Sequence, residues 1–532
     1  QMIRDCFLTN PHRVTVELHP DPSVGPQLAE DERRRIEQAR AAMSPDDLQN
    51  VVIDTQELHR RQQMPDTPEA LAAIPTLKRS DLDPKIKTIP TETLTAGKSR
   101  VLFHDLFTNG ILYLDLGFDL HNLPAAYLPY VSLFSRALTE TGTASESFVQ
   151  LLQRIGRSTG GIRPSLFTSA VAGQEQGAAW LFLRGKAMIP QTGELLSILR
   201  DVLSSARLDN RERIRQMALE EKAGLESSLV DYGHRIVGSR IRAHFNEADW
   251  ASEQMGGVDQ LIFLRGLIER IDNDWPAVQE VFETLRSLLV NQNSLLANVT
   301  TDREAWQGIR PQLEDFLQAQ PGEEITPALW ESGLRPGDEG LTVPAQINFV
   351  GIGTHLYRAG YKLHGSILVI VPHLRSSYLW DRVRVLGGAY GAFCTFDRNS
   401  GVFSFLSYRD PNLVGTLEVY NQAADYLRNN MLDDAELTKA IIGAIGDLDS
   451  YQLPDAKGYT AMVRYLVGIS DEERQRLRDQ VLATTGEDFR ALGETLAQAL
   501  AKESVIVVLG SANAVQSANP LLDNRLAIRK LL

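Results

Sequence analysis

The chain has 532 residues, of which 43% are apolar and 23% charged, and its formal net charge is −14. At roughly 100–200 residues per domain, that length exceeds one hydrophobic core and calls for about two to four domains in an ordinary soluble composition. The acidic balance argues against nucleic acid and anionic membrane as partners, since neither offers a negative surface any counterion release, and it leaves basic peptides electrostatically favourable.

Cys6 and Cys394 are the only cysteines and lie far apart in sequence. They can build neither a zinc knuckle nor a disulfide framework, and a reducing compartment is the simpler expectation. No apolar run approaches the ~18 residues needed to span a bilayer, and the opening "QMIRDCFLTNPHRVTVEL" lacks a signal-peptide apolar region. Residue 1 is Gln rather than Met, which suggests a processed chain, a tag remnant or a piece of something longer.

Residues 1–24 contain "PHRVTVELHPDP", which alternates from Val14 to Leu18 like a strand and stops at prolines. Having no strand neighbour in sequence, it is expected to be the terminal strand of a missing upstream domain. Residues 25–90 read as a polar helical hairpin and an extended linker. Ser44 is a candidate N-cap, Pro45 suits the first helical position, Asp46 and Asp47 favour the positive end of the helix dipole, and Leu48, Val51, Val52 and Thr55 recur at helical spacing. Pro65, Pro68, Pro75, Pro84 and Pro90 punctuate the linker.

Residues 91–325 form the next body. In "GILYLDLGFDL", Leu112, Leu114, Leu116, Phe118 and Leu120 share one face with period two, the pattern of a strand covered on one side. A helix over "LPAAYLPYVSLFSRALTETG" and a long helical run over 211–245 follow. Residues 326–532 repeat the order: strand "LTVPAQINFVGIG", helix "GSILVIVPHLRSSYLWDRVRVLGG", strands "AYGAFCTF" and "GVFSFLSY", helix "LVGTLEVYNQAADYLRN", and a closing strand "SVIVVLGS" that echoes "HRVTVELHP". Strands and helices in this order without strict βαβ alternation predict an α+β fold of two related domains, each a largely antiparallel sheet covered by helices.

The histidines give no metal site. Neither His-x-x-Glu-His nor His-Glu-x-x-His occurs, and His355, His364 and His373 recur every nine residues, about half a turn out of phase on a helix. "RGKAM" around Lys186 lacks the upstream glycine of a phosphate loop, and there is no Gly-x-Ser-x-Gly elbow. The remaining candidate is the corner "DRVRVLGGAYGAFC", residues 381–394. At ~100° per residue, Arg382 and Arg384 point to nearly opposite sides of a helix, so at most one faces a given cavity. Gly387 and Gly388 stop the helix and remove bulk, so a bound chain could approach the backbone. On the following strand Tyr390 shares a face with the small Ala392 and Cys394, while Phe393 points away to pack. An Arg and a Tyr beside open space can hold a carbonyl and stabilise an oxyanion; a capped helix with a snorkelling Arg and an edge Tyr is the bland alternative.

Several stretches are similar to a known family: "NPHRVTVELHPDP", "GILYLDLGFDLHNLP", "LFSRALTETGT", "STGGI", "LRGKAM", "VLGGAYGAFCTFDRNSGVFSFLSYRDPN", "GDLDSYQLPDAKGYTAMVRYL" and "DEERQRLRDQVLATTGEDFRAL". They span nearly the whole chain, which resembles the C-terminal half of the pitrilysin/insulinase metallopeptidases, in the presequence-protease branch that includes the peptidasome and falcilysin. The resemblance implies a LuxS/mitochondrial-processing-peptidase-like metallohydrolase fold in a clamshell around an unfolded peptide. It also implies zinc bound by an N-terminal half absent from these residues. Pro129 and Val131 stand where ligands would be needed, so no metal is expected in this chain, which alone is expected to be inactive. Arg384 and Tyr390 match the family's Arg and Tyr that hold the substrate backbone and the tetrahedral intermediate, with Gly387 and Gly388 making room for substrate. One departure is the apolar pair Val385-Leu386, where relatives carry polar residues. The partners implied are an unfolded peptide and the zinc-bearing half, in a bacterial cytoplasm or a mitochondrial or plastid matrix. The alternative is a non-catalytic binding or structural subunit of the same fold.

Overall fold

The computed structural model describes residues 1–331, 337–430 and 432–532. Residues 1–77 and 78–532 form two compact units. In the first, helices Val24–Ala42 and Pro45–Gln63 follow one another, and neither buries a residue. Ser44 caps the second helix by accepting from the Asp47 N–H while the Asp47 carboxylate accepts from the Ser44 N–H, with Pro45 in the first turn. Val14–Leu18 is not a strand. Val14, Val16 and Leu18 are 88%, 74% and 93% exposed, and no described strand pairs with them. Alternation alone cannot make a strand when its N–H and C=O groups have no neighbouring ladder.

The second unit holds two six-stranded sheets. The first comprises β1 (Glu92–Ala96), β2 (Ser99–Asp105), β3 (Ile111–Asp119), β4 (Ile162–Ser169), β5 (Ala178–Met188) and β6 (Leu295–Thr301), in the order β1-β2-β6-β3-β5-β4. The second comprises β7 (Glu339–Thr342), β8 (Phe349–His355), β9 (Gly391–Phe396), β10 (Val402–Tyr408), β11 (Ser504–Gly510) and β12 (Ala527–Lys530), in the order β12-β7-β11-β8-β10-β9. Strands β2 to β6 and β7 to β11 occupy matching places with matching directions. The β2–β6 pair and the β7–β11 pair are parallel, while the next three pairings in each sheet are antiparallel. The sheets differ at one edge, where β1 pairs antiparallel and β12 parallel. Two related, largely antiparallel sheets covered by helices are therefore present.

Each sheet packs one face on its own helices, and the other face receives a helix from the other half of the unit. Helix Pro454–Leu466 brings Met462 against Leu102, Phe182 and Leu296 of the first sheet. A Cβ on Gly458 would meet Thr300 Oγ1 at 1.8 Å, so only glycine permits this approach. The β3 strand is consequently covered on both sides rather than one. Asp115, at 6% exposure, accepts from Arg184 Nε and Asn298 Nδ2, each at 2.9 Å.

Reciprocally, helix Gly233–Ala243 packs Val237 and Ile241 with Phe349, Leu406 and Val507 of the second sheet. The run expected as one helix over 211–245 divides into Arg211–Asp231 and Gly233–Ala243, breaking at Tyr232. A side chain at Gly233 would meet the fully buried Phe349 ring at 2.4 Å. Arg240 pins this helix to β7 with two bonds to Glu339, at 2.7 and 2.8 Å, and one to Asp259 at 2.9 Å. "LTVPAQINFVGIG" is likewise two strands, β7 and β8, because Pro344 has no N–H for a ladder. "SVIVVLGS" is β11, and β12 follows it.

Candidate functional site

Helix Ile367–Leu374 contains Pro372, and from Arg375 to Leu386 the helix continues in wide π form. Pro372 lacks an N–H and its ring crowds the carbonyl four residues earlier, which disturbs the ordinary ladder just before the wide segment begins. Tyr378, Leu379 and Val383 bury one side of it, leaving Ser376, Trp380 and Arg384, four residues apart, on another. Gly388, at φ +78°, ends the helix. Its N–H donates to the Arg384 carbonyl at 3.0 Å and the Ala389 N–H to the Val383 carbonyl at 3.1 Å.

The corner is braced from β10. Arg409 has φ +50°, a conformation unfavourable for a side chain of its size. Its carbonyl accepts from the Tyr390 N–H at 3.3 Å. Asn412 Nδ2 donates to the Gly387 carbonyl at 2.6 Å. Asp410 is buried, which pushes its carboxyl above the usual range, and it accepts from the Asn412 N–H at 2.9 Å and Thr416 Oγ1 at 2.8 Å. The "GGAYG" and "SYRDPN" stretches are thus one physical device.

Arg384 and Tyr390 line one cavity of about 560 Å³. Arg384 lies over the Trp380 ring at 3.9 Å, a cation–π contact that orients the guanidinium. Tyr390 is 69% exposed and meets Tyr408 edge-on at 5.6 Å. Tyr390 immediately precedes β9, the edge strand, rather than lying within it. Arg235 and Arg375 add positive charge, and no carboxylate is among the described residues lining the cavity. Arg382 does not line it, nor do Gly387 and Gly388. A Cβ on Gly387 would meet the Val383 carbonyl at 2.5 Å, whereas one on Gly388 would find Pro411 no nearer than 3.6 Å. Val385 and Leu386 are 62% and 72% exposed beside the corner.

Sequence reasoning missed Trp380, Tyr408 and His234. Trp380 carried a legible signal, four residues before Arg384. His234 carried none, because it arrives on the helix that crosses from the first sheet's half. Its Nδ1 is buried without a partner among the described residues, and burial, reinforced by Arg235, pushes its pKa below the usual histidine range.

Pro129 lies in the first turn of helix Leu128–Glu140, and Val131 is fully buried. Among the described residues no group of three or more His, Cys, Asp or Glu side chains is placed to hold a metal. These residues do not fit zinc, and no step is derived through it. His364 faces Ser366 at 2.8 Å, His373 packs edge-on to Phe489 and His355 to Phe245. No described helix is long and apolar enough to cross a membrane.

Residues 18–267 match the family model of the region associated with M16 peptidases of subfamily C, and residues 338–512 match "PreP C-terminal domain". Presequence protease 1, chloroplastic/mitochondrial, of Arabidopsis thaliana is 40% identical across 100% of this chain and 49% of its own length. Protein HypA of Clostridium perfringens is 28% identical across 98% of this chain and 53% of its own. The chain spans about half the length of the curated relatives it matches. In fold it is similar to a conserved protein from Enterococcus faecalis (TM-score 0.59, 13% identity, 79% of this chain and 98% of that one). The peptidase M16 inactive domain from Pseudomonas fluorescens is similar as well (TM-score 0.56, 16% identity, 80% and 98%). The chain therefore belongs to the pitrilysin/insulinase (M16) metallopeptidase family, within its presequence-protease branch, and carries that branch's C-terminal domain.

Proposed function

We propose that this chain is the non-zinc half of a zinc endopeptidase that degrades short unfolded peptides in a closed chamber. Arg384 and Tyr390 grip a substrate carbonyl and stabilise the oxyanion formed on it. The observation that carries this reading is their convergence on one open cavity. Tyr390 is mostly exposed, and Arg384 has no carboxylate partner among the described residues. A structural arginine would be expected to be paired; this one is held by Trp380 and keeps its hydrogen-bond donors for a ligand. Gly387 and Gly388 serve substrate binding by keeping the corner free of side-chain bulk. The aromatic wall of Tyr232, Trp380, Phe393 and Tyr408 suits the apolar side chains of an unfolded peptide. The acidic molecule as a whole favours basic peptides.

Zinc belongs to the other half of the enzyme in this reading. That half is part of the same polypeptide or a separate subunit, and the compartment is a bacterial cytoplasm or an organelle matrix. The test combines this chain with the half bearing His-x-x-Glu-His and follows cleavage of a quenched peptide. Losing one oxyanion donor should cost about 10²–10³ in kcat, so Arg384→Ala and Tyr390→Phe should each fall in that range with the two halves still associated. Undiminished cleavage by both variants would sink the site. Stoichiometric zinc on this chain alone would sink the metal-free reading.

A further inference from the structure

Away from the Arg384 cavity, a second cavity of about 90 Å³ collects Lys87, Arg398, Arg464, Arg474 and Arg478 around a single carboxylate, Asp449. These cations come from separate elements: the segment entering β1, the turn between β9 and β10, helix Pro454–Leu466 and helix Asp471–Leu482. Their charges are unevenly answered. Arg478, only 1% exposed, forks onto Asp449 with two bonds of 2.8 Å, which uses up that carboxylate. Arg474 pairs with Asp471 at 2.6 Å and donates to the Lys87 carbonyl at 2.8 Å. Arg398 and Arg464 are both half-buried, and neither side chain has a hydrogen bond or ion pair with a described residue.

A partly desolvated guanidinium facing like charges is unfavourable unless something neutralises it. Burial, with the neighbouring Arg474 and Arg398, pulls the Arg464 pKa down to about 10, only partly offset by Asp471. An acidic protein with carboxylates to spare has placed none against these two side chains, so the missing counter-charge is an external one. Guanidinium forks match the geometry of oxyanions. A volume of about 90 Å³ is far below the roughly 300 Å³ of a drug-sized pocket, which excludes a peptide or a whole nucleotide.

We propose that this cavity binds one small tetrahedral oxyanion of the phosphate class, held by Arg398 and Arg464 and seated against Arg474 and Lys87. The bound ion ties the segment entering β1 to the β9–β10 turn and to the helix that covers the first sheet. This site is independent of the peptidase reading.

The test is calorimetric titration of the whole chain with inorganic phosphate at constant ionic strength, together with thermal unfolding with and without phosphate. Saturable one-to-one binding is expected, with a rise in Tm that sodium chloride at matched ionic strength does not reproduce. Arg464→Gln and Arg398→Gln should each weaken binding at least about tenfold, as for loss of a charged hydrogen-bond donor. Arg464→Gln should also unfold no earlier than the wild type in phosphate-free buffer, because it removes an unanswered charge. Absence of saturable heat, an equal rise with chloride, or unaltered binding in both variants would overturn the proposal. Should Arg464→Gln fail to fold, Arg398→Gln on the β-turn decides alone.

Discussion

Replacing Arg240 with Met tests the contact that seats helix Gly233–Ala243, and with it His234 and Arg235, beside the Arg384 cavity. Arg240 is 3% exposed and Glu253 is 0%. In addition to its bonds with Glu339 and Asp259, Arg240 reaches Glu253 at 3.4 Å. One cation thus answers three carboxylates. Arg240→Met leaves Glu253 with the Val258 N–H at 2.7 Å and Ser239 Oγ at 3.2 Å as its remaining donors. Removing one partner of a buried ion pair costs about 3–5 kcal/mol, a large share of the roughly 5–15 kcal/mol that holds a domain folded. The loss also has a pH signature. Burial already pushes Glu253 upward, with Arg240 as its main opposing influence. Without Arg240 its folded pKa rises further above the unfolded value, the native state binds the extra proton, and stability falls as pH rises above the unfolded value of about 4.3. Urea unfolding followed by tryptophan emission should therefore show the full penalty at pH 8 and a smaller one at pH 5. A loss below about 1 kcal/mol at pH 8, or one equal at both pH values, would refute this account of the network.

Two further outcomes are expected. His121 is buried, which opposes its charge, but Asp119 at 3.0 Å and Glu247 at 3.4 Å outweigh burial and raise its pKa to about 9. Its contribution is fully present below the unfolded value near 6.5 and disappears as pH rises to 9, at most about 3 kcal/mol at ~1.36 kcal/mol per unit. Urea midpoints at pH 6 and pH 9.5 should differ less in His121→Gln than in the wild type. Gly388→Ala meets no clash, so its cost is the left-handed backbone alone, about 1–2 kcal/mol. Gly388→Asn should recover part of it in the same urea assay, since Asn tolerates that conformation.

Local signals in the chain were enough for those elements whose cause is local. Ser44, Pro45 and Asp47 make a helix start from three side chains and a dipole, and the period-two row from Leu112 to Leu120 finds β3, because both depend only on neighbours in sequence. Val14–Leu18 shows the limit: its alternation matches that of β3, but it has no ladder partner among the described residues. The break at Tyr232 was hidden for the converse reason, since the ring that demands Gly233 belongs to Phe349 on a distant strand. At the candidate site, glycine spacing marked the corner and the family resemblance singled out Arg384 and Tyr390. Tertiary structure added the Trp380 stack, the Tyr408 edge, the brace from Asn412 and His234 carried across from the other sheet. The sequence by itself determined the two-sheet plan, the family and the helix-to-strand corner, because apolar periodicity, glycine placement and motif spacing are written along the chain. Only the tertiary structure decided which arginines share a cavity, and which face one another without a carboxylate between them, because charge balance in a folded protein is set by distances between segments that sequence order does not specify.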